Sequence, residues 1–358
     1  MKKLNLAIIG QGRSGKLIHG AYYISERNTY YNVKYVVDRD ERRRAVAKEM
    51  YAGCETLADY TELFDKKDVD LVVNATMSDT HFSITKDLLE HGFNVLVEKP
   101  FARNRYECDV LIATAKKYNV TLAVFQQTFY APFYQEAKAL AEEGKFGKIE
   151  QVSVRYNGFS RRWDWQTLQK KLAGGIYNTG PHPIGIGMGF LGFDKNIRVE
   201  YSKLSTTSMC SGDSDDYAKI ILSAPDKPVV DIEINSTDAY LDYNLKLQGH
   251  KGTFKCTPTA YKMKYVIDGE NAPQAVVETP MKNETGAPCY CKEKLITHEE
   301  EGKYNGTAFD VGTAGLYEEL YYKITEGKEM SITPEMVAQL ISVLEEVRAR
   351  NPLPLKFL

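Results

Sequence analysis

Up to about residue 125 the chain alternates short, continuously apolar runs with helix-like segments, and few folds accept that pattern. The runs are Leu6–Ile9, Val33–Val37, Leu71–Val73, Asn94–Val97 and Thr121–Val124, with helical stretches at 42–49 and 106–118 between them. Strands that are apolar on both faces belong inside a parallel sheet covered by helices on each side. A helix at about 132–143 follows, closed by Gly144, and from Ile149 the texture changes. Segments 151–156, 219–222, 229–234 and 243–247 alternate apolar with polar residues, as half-exposed antiparallel strands do. A chain of 358 residues exceeds one ordinary core. Two domains are therefore expected: 1–125, a doubly wound parallel sheet, and 126–358, an α/β unit with a large open, mainly antiparallel sheet. A last helix at 334–350 is free to pack back on the first domain.

Bulk chemistry narrows the partners. With 46 basic against 48 acidic residues there is no broad positive field to hold nucleic acid or an anionic membrane. No stretch approaches the roughly 20 apolar residues that span a bilayer, and the apolar run at the N-terminus stops at Gly10, reading as a first strand rather than a signal peptide. A cytoplasmic protein with a small, uncharged or weakly charged substrate is expected. The six cysteines are scattered apart from Cys289-Tyr290-Cys291, a pair without the second ligand pair zinc requires, so reduced thiols and no metal site are expected. Asp215-Asp216 reads as solvated or capping, and His19, His91, His250 and His298 as structural or surface residues. Long alternating strands and many tyrosines in the second half, among them Tyr240, Tyr243, Tyr261 and Tyr265, suggest a sheet face that a second copy must cover, hence a homo-oligomer, dimer or tetramer.

Gly10-Gln11-Gly12-Arg13-Ser14-Gly15 lies between the first strand and the first helix, the context in which G-x-G-x-x-G marks a dinucleotide-binding Rossmann fold. Gly10 allows the tight turn, Gly12 lets a pyrophosphate approach the backbone, and Gly15 lets helix and strand pack closely. Asp38 ends the second strand 23 residues past Gly15, placed to accept hydrogen bonds from the adenosine ribose and to repel a 2'-phosphate. NAD is expected as cofactor over NADP, with Arg39 the residue that could instead stack on adenine or hold a 2'-phosphate.

Val97-Glu98-Lys99-Pro100 puts a lysine at the carboxyl end of a parallel strand, where the crevice of such a sheet binds its ligand. Oxidising an alcohol needs a base within hydrogen-bond reach of the hydroxyl. A histidine, ordinarily near pKa 6.5, suits that task, whereas a lysine must be lowered from about 10.4. With the fingerprint, Asp38, Ala75-Thr76 through His81, Glu98-Lys99-Pro100, residues 144–149, Gly174-Gly175 and Gly180-Pro181-His182, nearly the whole chain resembles the Gfo/Idh/MocA family, the relatives of glucose-fructose oxidoreductase and inositol dehydrogenase.

The resemblance implies a Rossmann domain followed by a larger α/β domain whose open sheet often serves as an oligomer interface. It implies that Lys99 touches substrate and helps relay its proton and that His182 sits at the reacting hydroxyl. His182 is accordingly assigned as base and Lys99 as orienter, with the exchange left open. Thr76, His81, Glu98 and Gln126 are expected on the cofactor; Gln127, Tyr156, Trp163 and Asn178 on the substrate. Two departures from the family pattern matter. Asn178 stands where a carboxylate is usual, so it should position substrate rather than move protons. Gln126-Gln127 replaces a segment that often carries two arginines, which favours a neutral sugar or glycoside over an anion. The expected reaction is hydride transfer between nicotinamide and a secondary alcohol of a sugar, glycoside or polyol, the C3 hydroxyl of a glucoside being one candidate. The alternatives are a reductase of a non-sugar substrate on the same frame and a non-catalytic NAD and sugar sensor.

Overall fold

The computed structural model of the chain describes residues 2–357. Its first sheet comprises β1 (Leu4–Ile9), β2 (Tyr31–Val37), β3 (Glu55–Leu57), β4 (Leu71–Asn74), β5 (Val95–Val97) and β6 (Leu122–Val124), in the order β3-β2-β1-β4-β5-β6 with every neighbour parallel. The order reverses beside β1, and ligands of doubly wound sheets bind at that crevice. A π-helical turn, Gly15–His19, leads from the glycine loop into α1 (Gly20–Tyr23); α2 (Glu41–Met50), α3 (His81–Glu90) and α4 (Arg105–Tyr118) supply further crossovers. Local chemistry sets their ends. Asp40 and Asn104 accept the first free N–H groups of α2 and α4, and Asn119, left-handed at φ 52°, closes α4. The edge strand β3 escapes sequence reading because it is three residues long with one buried side chain.

After α5 (Pro132–Glu142) come β7 (Ile149–Asn157), α6 (Gly175–Asn178), α7 (Pro181–Phe190), β8 (Arg198–Ser205), β9 (Tyr217–Ser223), β10 (Val229–Asn235), β11 (Leu245–Gly249), β12 (Gly252–Cys256), β13 (Ala260–Tyr265) and β14 (His298–Lys303), then α8 (Thr313–Glu326) and α9 (Pro334–Arg350). The eight strands form one sheet, β14-β13-β12-β11-β7-β10-β9-β8, antiparallel except where β7 runs parallel to β10. The fold is thus a Rossmann sheet followed by a large, mainly antiparallel one.

Alternation along the strands sorts the second sheet. Val152, Val154, Ile220, Ile232 and Leu247 are buried on the side where α7 packs. The opposite side carries Arg155, Lys219, Asp231 and Glu233, joined by ion pairs such as Arg155–Asp231 at 2.6 Å. Among the described residues the apolar face of this sheet is covered by the fold's own helices, and the open face is mainly charged.

Two helices from the end of the chain return to the Rossmann sheet. α9 packs on α4, with Lys116 ion-paired to Glu335 at 3.0 Å. α8, which the sequence reading did not place, buries Leu316, Tyr317 and Leu320 against Leu6, Ile8, Leu96 and Phe125. Tyr317 stacks on Tyr22 with ring centroids 4.7 Å apart, and its hydroxyl lies 2.7 Å from His19 Nδ1. Truncating so large a buried ring leaves a cavity. Tyr317→Ala is expected to lower the unfolding free energy by about 3–5 kcal/mol in urea denaturation, and Tyr317→Phe by about 1–3 kcal/mol through the lost hydroxyl partner of His19.

Candidate active site

Close approach dictates the glycines of the first loop. Gly10 has φ +95°, and a Cβ there would stand 2.5 Å from the Ala75 carbonyl oxygen; at Gly15 it would stand 1.8 Å from that of Gly10. At Gly12 a Cβ would meet nothing nearer than the Arg43 guanidinium at 3.8 Å, so this stretch of backbone is bare toward the cavity. The first-turn N–H groups that follow have no helical acceptor, which makes a cradle for phosphate. Asp38 closes the far side. Its Oδ2 accepts from Gln11 N at 2.8 Å and its Oδ1 from Asp40 N at 2.9 Å, while Arg43 comes to 3.5 Å. These groups fit a dinucleotide, whose pyrophosphate Gly12, Arg13 and Ser14 would hold and whose ribose Asp38 would hold.

A cavity of about 1230 Å³ runs from this loop, between the two sheets, to the first turn of α7. Gly10, Gly12, Arg13, Ser14, Asp38, Arg39, Thr76, His81, Glu98, Lys99, Gln127, Tyr156, Asn178 and His182 all line it. Lys99, at the end of β5, donates from Nζ to the Asn178 carbonyl at 2.7 Å. Burial lowers its pKa, and the charges of Arg13 and Arg162 lower it further against the opposing pull of Glu98. His182 occupies the first turn of α7 rather than a loop. Its Nδ1 lies 2.7 Å from Thr128 Oγ1, leaving Nε2 without a protein partner among the described residues. Burial first, then the Lys99 charge, pushes His182 down to about 3, so the ring is neutral. Tyr156 reaches the same space from the covered face of β7, its ring near-parallel to that of His182 at 6.3 Å. Asn178 Oδ1 accepts from Gln166 Nε2 at 3.0 Å, and Gln127 keeps a buried carbonyl oxygen with no partner.

Glu98 is committed to the protein. Its Oε1 accepts from the Ser14 hydroxyl and lies 3.1 Å from His19 Nε2, while Oε2 accepts from Lys99 N at 3.0 Å. Burial alone would raise its pKa, but His19, Lys99 and Ser14 together overcome burial and hold it at about 2. His81 is also tied down, its Nδ1 2.8 Å from the Pro100 carbonyl oxygen and its Nε2 3.3 Å from that of Thr76. Both residues border the cofactor half of the cavity as its buttresses.

Two expected site residues stand elsewhere. Trp163 is 75% exposed and does not line the cavity; Trp165, two residues on, does, because Asp164 caps a short turn there by accepting from Gln166 N. Gln126 is fully buried behind the wall. Thr128, Gln166 and the rim residues Arg161 and Arg162 were not anticipated, and no local motif marks them. Among the described residues no group of three His, Cys, Asp or Glu side chains could hold a metal ion, and no helix is long and apolar enough to cross a membrane.

Fold and cavity together define a dinucleotide-binding oxidoreductase. The chain belongs to the GFO/IDH/MocA family: residues 4–126 match its oxidoreductase NAD-binding Rossmann domain and residues 134–255 its C-terminal domain. It is 25% identical over 350 residues to the uncharacterized oxidoreductase YhhX of Escherichia coli, covering 96% of this chain and 95% of that one. It is 22% identical to the scyllo-inositol 2-dehydrogenase (NADP(+)) IolW of Bacillus subtilis over 96% and 92% of the two chains. The 3-ketoreductase KijD10 of Actinomadura kijaniata, solved with NADP and TDP-benzene, shares the fold at TM-score 0.78 and 16% identity, each chain covered to 98%.

The depressed pKa of Glu98 carries a pH signature. Its folded value near 2 lies below the ordinary 4.5, so the carboxylate stabilises the fold in full above about pH 4.5 and progressively less as pH falls toward 2. Urea denaturation of wild type and Glu98→Gln should differ by up to about 3 kcal/mol near pH 6, a gap that narrows below pH ~4.5. A gap independent of pH would mean that the carboxylate is not what the network holds.

Proposed function

We propose that the protein is an NAD-dependent dehydrogenase acting on a secondary alcohol of a sugar, glycoside or polyol. The observation that carries this reading is the convergence, in one cavity, of Lys99 and His182 with the glycine loop and Asp38. Nicotinamide bound in that cavity would accept or supply the hydride. The chain's own part is to place the hydroxyl and move its proton. The lowered pKa of Lys99 and the neutrality of His182 favour the exchange left open by the sequence: deprotonated Lys99 takes the hydroxyl proton, and His182, aimed by Thr128, holds the hydroxyl through its free nitrogen. Protonating a buried ring whose pKa is near 3 is the costlier route. Gln127, Asn178 and Tyr156 offer the polar groups and flat face that a polyol requires.

NAD is favoured over NADP because Asp38 presents a carboxyl group at the ribose end, with Arg39 and Arg43 the opposing influence. A cytoplasmic homo-oligomer belongs to the same reading. Its support is now the family and the half-exposed tyrosines of the charged sheet face, such as Tyr201, 51% exposed, and light scattering at micromolar concentration tests it.

The decisive experiment is NAD reduction against a panel of sugars, glycosides and polyols, run beside binding of NAD and NADP. Lys99→Ala should lose about 100- to 10,000-fold in turnover together with the limb of the pH profile that rises as the lysine deprotonates. His182→Ala should lose rate but keep that limb, and both should retain NAD. Persistence of the limb in Lys99→Ala would return the proton to His182. NAD binding without turnover of any sugar or diol would point to a sensor. Asp38→Ala should weaken NAD and narrow its advantage over NADP.

A further inference from the structure

The segment between β7 and α6 forms a rim along the substrate half of the cavity, and its backbone is pinned. Gly158 N donates to Asn235 O at 2.8 Å, Arg162 N to Met209 O at 2.8 Å, and Ser211 N to Arg162 O at 3.0 Å. Arg161 and Arg162 line the cavity from this rim. Arg162 meets Asp164 at 3.6 Å through Nε alone, and Arg161 has no carboxylate within ion-pair distance among the described residues. The acidic side chains of the same wall are engaged. Asp215 Oδ2 accepts from Ile176 N at 2.7 Å, and Asp216 accepts from Thr207 N and its hydroxyl, each at 2.6 Å. The uncommitted charges on this rim are therefore cationic, from Arg161 and Arg162, and Trp165 adds an apolar surface beside them.

Guanidinium groups on a fixed backbone suit an oxyanion, which they bind through paired hydrogen bonds. We propose that the substrate is a sugar or polyol carrying an oxyanion, a carboxylate or a phosphate, bound by Arg161 and Arg162. This rests on the dehydrogenase reading and refines it. It also replaces the expectation of a neutral sugar drawn from Gln126-Gln127: the positive charge missing there is supplied from a rim 35 residues further along. Lys99 and the two arginines line the same cavity, and the Arg162 charge contributes to lowering the Lys99 pKa.

The test is calorimetric titration of the NAD-saturated protein with acids and their neutral twins: glucuronate and glucose, galacturonate and galactose, gluconate and glucitol, with glucose 6-phosphate as the phosphate arm. At least one acid should bind about 10- to 100-fold more tightly than its twin, the advantage of a charge-assisted contact. The uronates and gluconate against glucose 6-phosphate decide between carboxylate and phosphate. Arg161→Met/Arg162→Met should abolish the preference and leave NAD affinity unchanged. The proposal is overturned if no acid outbinds its twin, if the preference survives in the double variant, or if that variant loses NAD instead, which would assign the arginines to the cofactor. An acid that binds preferentially while no sugar reduces NAD upholds this inference and defeats the dehydrogenase reading. Oxidation of neutral sugars with no acid preference does the reverse.

Discussion

A single buried carboxylate holds the working parts of this protein in register. Glu98 gathers the Ser14 hydroxyl from the glycine loop, the His19 ring from the turn that follows it, and the backbone N–H of Lys99. His19 continues the chain to Tyr317 on α8, 298 residues away in sequence. A charge taken out of water is tolerable only when its lone pairs are satisfied. The requirement to satisfy Glu98 thus fixes the distance between the glycine loop and the lysine that lines the cavity. Disturbing any member should displace both halves of the site together, which makes His19 and Glu98 positioning residues.

The second constraint is where the cavity lies. The carboxyl ends of the Rossmann strands open toward α7 and the covered face of β7, so one domain supplies Lys99 and the other His182, Asn178 and Tyr156. Because α8 and α9 return to the first sheet, the two layers share packing, and the second hydrophobic cluster joins strand residues such as Leu96 to Tyr317. That shared packing keeps the side chains of the two layers that line the cavity at fixed separations, as transfer between oriented groups would demand. Burial then acts on both titrations: the same enclosure lowers the pKa of Lys99 and that of His182.

Much of the frame was legible in the sequence because it depends on local chemistry. The buried runs before Val124, the loop from Gly10 to Gly15 and the helix at 334–350 each carry their signal within a few residues. Alternation likewise identified β7, β9, β10 and β11 as strands of a half-covered sheet. It could not say that helices of the same chain, rather than a second copy, would cover the apolar face. Short or strongly polar strands, β3 and the Glu-rich β14, gave no usable pattern.

The sequence by itself determined the doubly wound frame and the glycine loop, and it singled out Asp38, Lys99 and His182 as residues that line the cavity, since these follow from backbone sterics and from motifs read in one stretch. Only the tertiary structure decided that Glu98 is a tie between elements, that Trp165 rather than Trp163 faces the cavity, that Gln126 lies behind its wall, and that Arg161 and Arg162 stand on its rim. The physical reason is the same in each case. Which way a side chain faces, and what charge it keeps, depends on groups that are distant along the chain and adjacent only after the two sheets have packed.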